Sequence, residues 1–229
     1  YTRGNLIIEN VNKKTNTVVK DDNLPSSSYT SAIEDRNVER TMISATYEFD
    51  NPESDNFIDY FKLTAYTQYA YSEDDSILDV ASSTSRRGVT TPAHKLKNDY
   101  DLKDDSYGAN LQLRSDFINP NVNHRLTYGL DYSLTSNSRK RAKIQTGGVT
   151  ATTTVKDSPD SDTTLLGIYL QDEISFNNSK WEIIPGIRFD YYDLDSTVDS
   201  IYLQSSKSEN PVDINKKVFN PSLSILHKT

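Results

Sequence analysis

Three histidines, His94, His124 and His227, and no cysteine are the whole stock of imidazole and thiol in this 229-residue chain. Without cysteine there is neither a disulfide nor a thiolate metal site. Three scattered histidines do not supply a nucleophile–base pair. Gly-x-Ser-x-Gly, His-Glu-x-x-His and P-loop patterns are absent as well, so the chain is read as no enzyme. Carboxylates are plentiful: 33 Asp+Glu against 25 Lys+Arg give a net charge of -8. That balance argues against nucleic acid as a partner. The acid gathers at Asp21-Asp22, Glu73-Asp74-Asp75 and Asp104-Asp105. A solvated surface is the plain reading there, and divalent-cation capture the sharper one. Asp193-Leu194-Asp195 lacks the glycine and spacing of an EF-hand loop, so no metal site is assigned. The basic triplet Arg139-Lys140-Arg141 could hold anionic lipid headgroups or an acidic partner, or simply be a solvated loop.

The elements that position these groups show a period of two. In Trp181 to Tyr191, Trp181, Ile183, Pro185, Ile187, Phe189 and Tyr191 fall on one face. Glu182, Gly186, Arg188 and Asp190 fall on the other, and Ile184 is the exception. Side chains of a strand alternate between faces, so such a segment is apolar on one side and wet on the other. The same alternation carries Ile43 to Phe49, Phe61 to Tyr71, Tyr107 to Phe117, Leu126 to Leu134 and Leu166 to Phe176, with a last run from Phe219 to Ile225. An earlier strand is expected between Leu6 and Val19. Strands are expected near 38–50, 57–72, 104–118, 123–137, 163–177, 180–195 and 216–228. Asp172 breaks the scheme by falling on an apolar face, about five residues from a turn.

Connectors alternate too. Short ones, at 50–56, 119–123 and 177–179, are built of Pro, Asn, Asp and Ser, which fix φ or bond to local backbone. Long polar ones are expected near 20–37, 73–104, 138–162 and 195–215. The Thr run from Thr150 to Thr154 could extend a β-ribbon. Hydrophobic residues make up only 34% and mean hydropathy is -0.69. That is thin for a soluble core and ordinary for a barrel, where only alternate strand residues meet lipid. Tyrosine, at 15 residues against 7 Phe and 1 Trp, suits a membrane–water boundary. The sequence holds no run of 18 apolar residues that would read as a transmembrane helix. The expected fold is all-β: a partial antiparallel transmembrane β-barrel, with long outer loops and short turns at the opposite end. The chain begins at Tyr1 and stops after a strand-like run, and is read as an internal piece of a longer protein, 1–229 being one partial barrel domain.

Leu165 to Ile174 and Ile184 to Tyr192 resemble the hydrophobic-x-Gln-Asp-Glu and Pro-Gly-x-Arg-x-Asp hairpin of TonB-dependent outer-membrane receptors, and Phe219-Asn220-Pro221-Ser222-Leu223 resembles the family's next strand. Tyr100 to Leu113 and His124 to Tyr132 look like the branch that takes up haem, haemoglobin, transferrin or lactoferrin iron. The resemblance covers most of 38–229. It implies about seven to eight strands of a barrel of about 22, closed in the whole protein by an N-terminal plug on which TonB pulls. The plug and the C-terminal part of the barrel are absent here. So are the family's Phe-Arg-Ala-Pro and Asn-Pro-Asn-Leu boxes, which flank a haem-ligating His. Asn220-Pro221-Ser222-Leu223 lies too early to be the second box.

The resemblance further implies a Gram-negative outer-membrane location, lipid as surroundings, and haem or a haem protein as ligand. Haem would be transported cargo rather than a covalently bound cofactor. In this topology His124 and His227 lie beside short periplasmic turns. His94 lies in a long outer loop, and since an exposed imidazole can ligate haem iron, it is the candidate ligand contact. Tyr100 falls in the same loop. Gly186, Arg188 and Asp190 are expected to bond neighbouring strands or the plug. One alternative keeps the family and changes the cargo to a siderophore. Another is a soluble all-β carbohydrate-binding module, which would have strands of about five to six residues and short loops at both ends.

Overall fold

The computed structural model describes residues 1–19, 29–51, 57–147, 151–176, 180–204 and 211–227. Eight long antiparallel strands follow one another in a single sheet: β1 (Thr2–Val19), β2 (Tyr29–Asp50), β3 (Tyr60–Val80), β6 (His94–Ile118), β7 (Val122–Thr146), β9 (Asp160–Phe176), β10 (Trp181–Thr197) and β11 (Ile214–His227). A small hairpin, β4 (Ser83–Thr84) with β5 (Thr90–Thr91), stands in the β3–β6 connector. β8 (Ala151–Val155) takes over from β9 along the upper part of β7, pairing Arg141 with Val155 where β9 has stopped at Asn137. Residues 151–154 of the Thr run therefore do extend the ribbon, and Thr150 lies outside the described residues. One helical turn, α1 (Ser200–Leu203), follows β10.

The sheet has almost no core. Ala32 and Tyr202 are the only buried hydrophobic residues among those described. Ile43, Tyr47, Leu63, Tyr69, Tyr107, Tyr132, Ile168, Leu170, Ile187, Phe219 and Leu223 are instead exposed, all on one face. A face of this kind is what a spanning barrel turns to lipid. Aromatics gather at its short-turn end, with Phe57 against Phe117 at 5.8 Å and Trp181 against His227 at 4.6 Å between ring centroids.

The strands are longer than their apolar stretches. β6 and β7 each run 25 residues. At about 3.3 Å per residue and a tilt of about 40°, they stand roughly 60 Å tall, against an apolar band of about 25 Å. Much of the expected long connectors is thus strand. Residues 29–37 belong to β2, 73–80 to β3, 94–104 to β6 and 138–146 to β7. Both faces are wet there, so the sequence shows no alternation. The alternation of connectors holds in part: Asn119–Asn121 joins β6 to β7 tightly and 81–93 is long, but 20–28 between β1 and β2 is no longer than 51–59 between β2 and β3. The parts of the expected connectors at 20–28, 52–56, 148–150, 177–179 and 205–210 lie outside the described residues.

Asp172 has a partner. His124 Nδ1 lies 2.7 Å from its Oδ2, across the β7–β9 ladder and on the same apolar face. Both residues sit close to the short-turn rim, so the charge is met by an imidazole near the band's edge.

Candidate functional site

Three groups of polar residues stand out, at three heights of the sheet. The lowest two knit strands on the polar face. Near the short turns, Arg114 reaches Asp50 at 3.1 Å and Asp116 at 3.2 Å, and Arg125 reaches Asp116 at 3.0 Å. At mid-height, Arg188 on β10 binds Asp190 at 2.7 Å and Asp131 on β7 at 2.9 Å, passing across β9. Asn110 donates to Asp131, and Asn220 of β11 to Asp190 at 3.1 Å, so the network spans β6 to β11. It crosses β9 at Gly167, where a Cβ would collide with the Arg188 guanidinium. Gly129 likewise makes room for the Tyr169 ring, since a Cβ there would strike the Leu111 carbonyl and the phenol. The expectation that Arg188 and Asp190 bond neighbouring strands is what these distances give.

The third group lies above the apolar band. Thr15, Arg36, Asp74, Tyr100 and Arg141 form one cross-strand row of the polar face, and Lys13, Val38, Ser72, Leu102 and Arg139 the next. Together with Glu34, Asp75, Ser76, Asp101 and Asp157, all of them except Arg141 line a concavity of about 960 Å³. Arg36 is committed to Asp74 at 3.4 Å. The Arg141 guanidinium stacks 4.9 Å from the Tyr100 ring centroid, and its Nε is buried without a hydrogen-bond partner. Asn98, nine-tenths buried one row higher, donates to Ser76 Oγ at 3.2 Å and leaves Oδ1 without a partner. Arg139, Arg141 and Lys143 form no ion pair among the described residues, and sit at i, i+2 and i+4 of one strand.

The basic triplet is therefore no loop. Strand alternation splits it: Arg139 and Arg141 share the polar face, Arg139 lining the concavity, while Lys140 falls on the other face beside Asp101, Lys103 and Ser138. Tyr100 is likewise a strand residue on the concave wall. Sequence reasoning missed both because polarity on both faces hid the register.

His94 stands at the outer end, where expected, but as the first residue of β6 rather than inside a loop. Its Nδ1 lies 3.1 Å from the Pro92 carbonyl. It borders a separate cleft of about 500 Å³ at the rim, shared with Thr30, Asp79, Lys95 and Gly147. Gly147 has φ +101°, and a Cβ there would come within 3.2 Å of Ala93 O and of His94. A hydrogen bond from Ser31 (2.5 Å) and, against some desolvation, Lys95 hold the Asp79 carboxyl below the usual range. His124 and His227 lie at the short-turn end, far from either cleft.

Two further charge clusters belong to the outer part. Glu73, Asp75 and Asp99 bring carboxylate oxygens within 4.8 Å of one another. Lys97 Nζ sits 2.9 Å from Asp75 and 3.2 Å from Asp99, so an ammonium already pairs with two of the three. Asp75 beside Asp99 raises the latter's pKa. Lys156, 1% exposed, places Nζ 2.6 Å from both Asp160 and Asp199. Asp199 also caps α1 by accepting from Tyr202 N at 2.8 Å. This knot ties the connector after β8 to the one after β10.

Over residues 2–228 the chain matches a family described as TonB dependent receptor-like, beta-barrel. Two solved structures are similar to it. One is the siderophore receptor PiuA from Acinetobacter baumannii, at 15% identity and TM-score 0.45 over 84% of this chain and 30% of that one. The other is BauA, the ferric preacinetobactin receptor from Acinetobacter baumannii, at 14% identity and TM-score 0.46 over 86% of this chain and 29% of that one. The chain thus spans about 30% of the length of these structures. A comparison with curated proteins finds no match.

Proposed function

Since this chain belongs to the TonB-dependent receptor β-barrel family, we propose that it forms part of the wall of a Gram-negative outer-membrane receptor that captures an iron chelate outside the cell and imports it with energy from TonB. The family match over residues 2–228 carries this reading. In it the exposed apolar face meets lipid and the polar face meets the lumen. Arg188, Asp131 and Asp190 stiffen the wall at mid-membrane. The concavity above them is an outer vestibule, and TonB would act through a plug that these residues do not include.

The cargo is haem or a ferric siderophore. Haem follows from the resemblance of 100–113 and 124–132 to the haem branch. His94 supports it in one respect: an imidazole whose Nδ1 faces a carbonyl keeps Nε2 for a metal. A siderophore needs no such ligand.

The test is growth of an iron-starved strain lacking its other iron receptors, with the intact receptor supplied and either haemin or a ferric siderophore as sole iron source. Growth that requires both receptor and TonB is expected. Failure on every chelate would remove the import reading. His94→Ala should impair growth on haemin alone if haem is the cargo, and leave siderophore growth intact if it is not.

A further inference from the structure

We propose that the tip of the β4–β5 hairpin is a cleavage site at which an arginine-specific endoprotease nicks the receptor from outside the cell. The bond cut is the amide after Arg86 or Arg87, and the wall stays assembled around the cut. Import plays no part in this. The receptor reading supplies only the outward orientation of the β3–β6 connector.

The hairpin is built but free-standing. Ser83 pairs with Thr91, and Thr84 with Thr90, whose hydroxyls lie 3.1 Å apart. Ser85 N donates to Val89 O at 2.9 Å, Gly88 N to Ser85 O at 2.9 Å, and Val89 N to Ser85 Oγ at 3.2 Å. Gly88 takes φ +77°, a conformation that glycine adopts without strain. Every residue from 82 to 93 is exposed, and neither strand of the hairpin pairs with the main sheet. A two-stranded ribbon with no face to bury is marginal in water, so opening it costs little. Cleavage follows the population of that open form.

The position is also selective. Every other arginine of this chain lies on a strand of the main sheet, where a cut would require a long ladder to part. Neither Arg86 nor Arg87 forms an ion pair among the described residues, so each guanidinium is available to the acidic pocket with which such a protease reads arginine. Gly88 sets no side chain beside the leaving amine. In the reaction, water adds across the amide. The hydroxyl goes to the arginine carbonyl carbon, the C–N bond breaks, and the proton goes to the departing nitrogen. β3 is paired with β6 along its whole length, from Tyr60 with Arg114 to Val80 with His94, so the two pieces stay together. Ala81 and Ala93, at the two ends of the connector, line the rim cleft beside His94, so the cut frees the strap that borders it.

The experiment treats intact cells bearing the whole receptor with clostripain, which cuts after arginine. Among cuts within residues 1–229, the first new amino terminus should be Arg87 or Gly88. The pieces should separate only when boiled in detergent. Arg86→Gln with Arg87→Gln should abolish this cut and keep the heat-modified mobility of the assembled barrel, whereas Arg139→Gln should leave the cut unchanged. Earlier cuts at arginines of the main sheet would overturn the site. So would the absence of a hairpin cut in both intact cells and opened envelopes, with the receptor left standing. A hairpin cut in opened envelopes alone would put the connector on the inner side, and would sink the receptor's orientation together with the outer site.

Discussion

At the scale of single residues, the wall is set by what each face tolerates. Gly129 is empty of side chain because Tyr169 and the Leu111 carbonyl fill the space beside it. Gly129→Val should destabilise the barrel by about 1–3 kcal/mol, the range for forced overpacking. Gly4→Val, with nothing within 4 Å, should not. Thermal unfolding of the detergent-solubilised receptor distinguishes the two. His124 and Asp172 offer a second contrast. Removing one partner of a half-buried hydrogen-bonded pair strands the other, whereas removing both leaves no unpaired polar group behind. His124→Leu should cost about 1–2 kcal/mol, since the pair is partly exposed, and His124→Leu with Asp172→Leu should recover most of it. Equal losses in single and double variants would show that the pair does not act as a unit. In sequence Asp172 is legible only as an anomaly. Its partner is 48 positions away, and nothing local announces it.

At the scale of elements, legibility follows the solvent. Where one face meets lipid, the apolar residues mark every second position and the strands can be placed from sequence alone. Above the band that contrast vanishes. Glu73 and Asp74, or Arg139 and Lys140, face opposite ways yet look alike, so sequence stops β3, β6 and β7 short and puts Tyr100 in a loop. His94 falls at the correct end although its strand is missed, because the topology is readable there and the ladder is not.

The connectors are also tied. Hydrogen bonding from Lys156, then from the Tyr202 amide, holds the Asp199 carboxyl below its usual range. Burial alone would lower the Lys156 pKa, but its hydrogen bonds to Asp160 and Asp199 outweigh that and raise it. The depressed acid stabilises the knot above about pH 3.9, with loss as pH falls through its folded value. The raised base does so below about pH 10.4, with loss as pH rises through its folded value. The knot should hold between those limits. Limited proteolysis within 198–204 should therefore be slow at pH 7 and quicken at pH 3.5, and Lys156→Met should make the site labile at both.

At the scale of the whole molecule, the sheet ends in two unpaired edges, β1 and β11, and turns a broad apolar face outward. Open edges and exposed apolar surface both favour association. Residues 1–229 expressed alone should elute as large aggregates from detergent-free size-exclusion columns. They should also show no heat-modifiable mobility on gels. A monodisperse, cooperatively melting preparation would contradict the membrane-wall reading of the apolar face.

The continuation of β6 and β7 beyond the bilayer has a kinetic consequence. A binding surface carried on flexible loops must freeze those loops when its ligand arrives, and each side chain and backbone torsion so fixed subtracts from affinity. Tyr100, Leu102, Arg139 and Arg141 are already held by paired backbone. Capture there would surrender little conformational entropy and require no slow rearrangement beforehand. Encounter would then be governed by diffusion and long-range charge, with rates that climb as ionic strength drops.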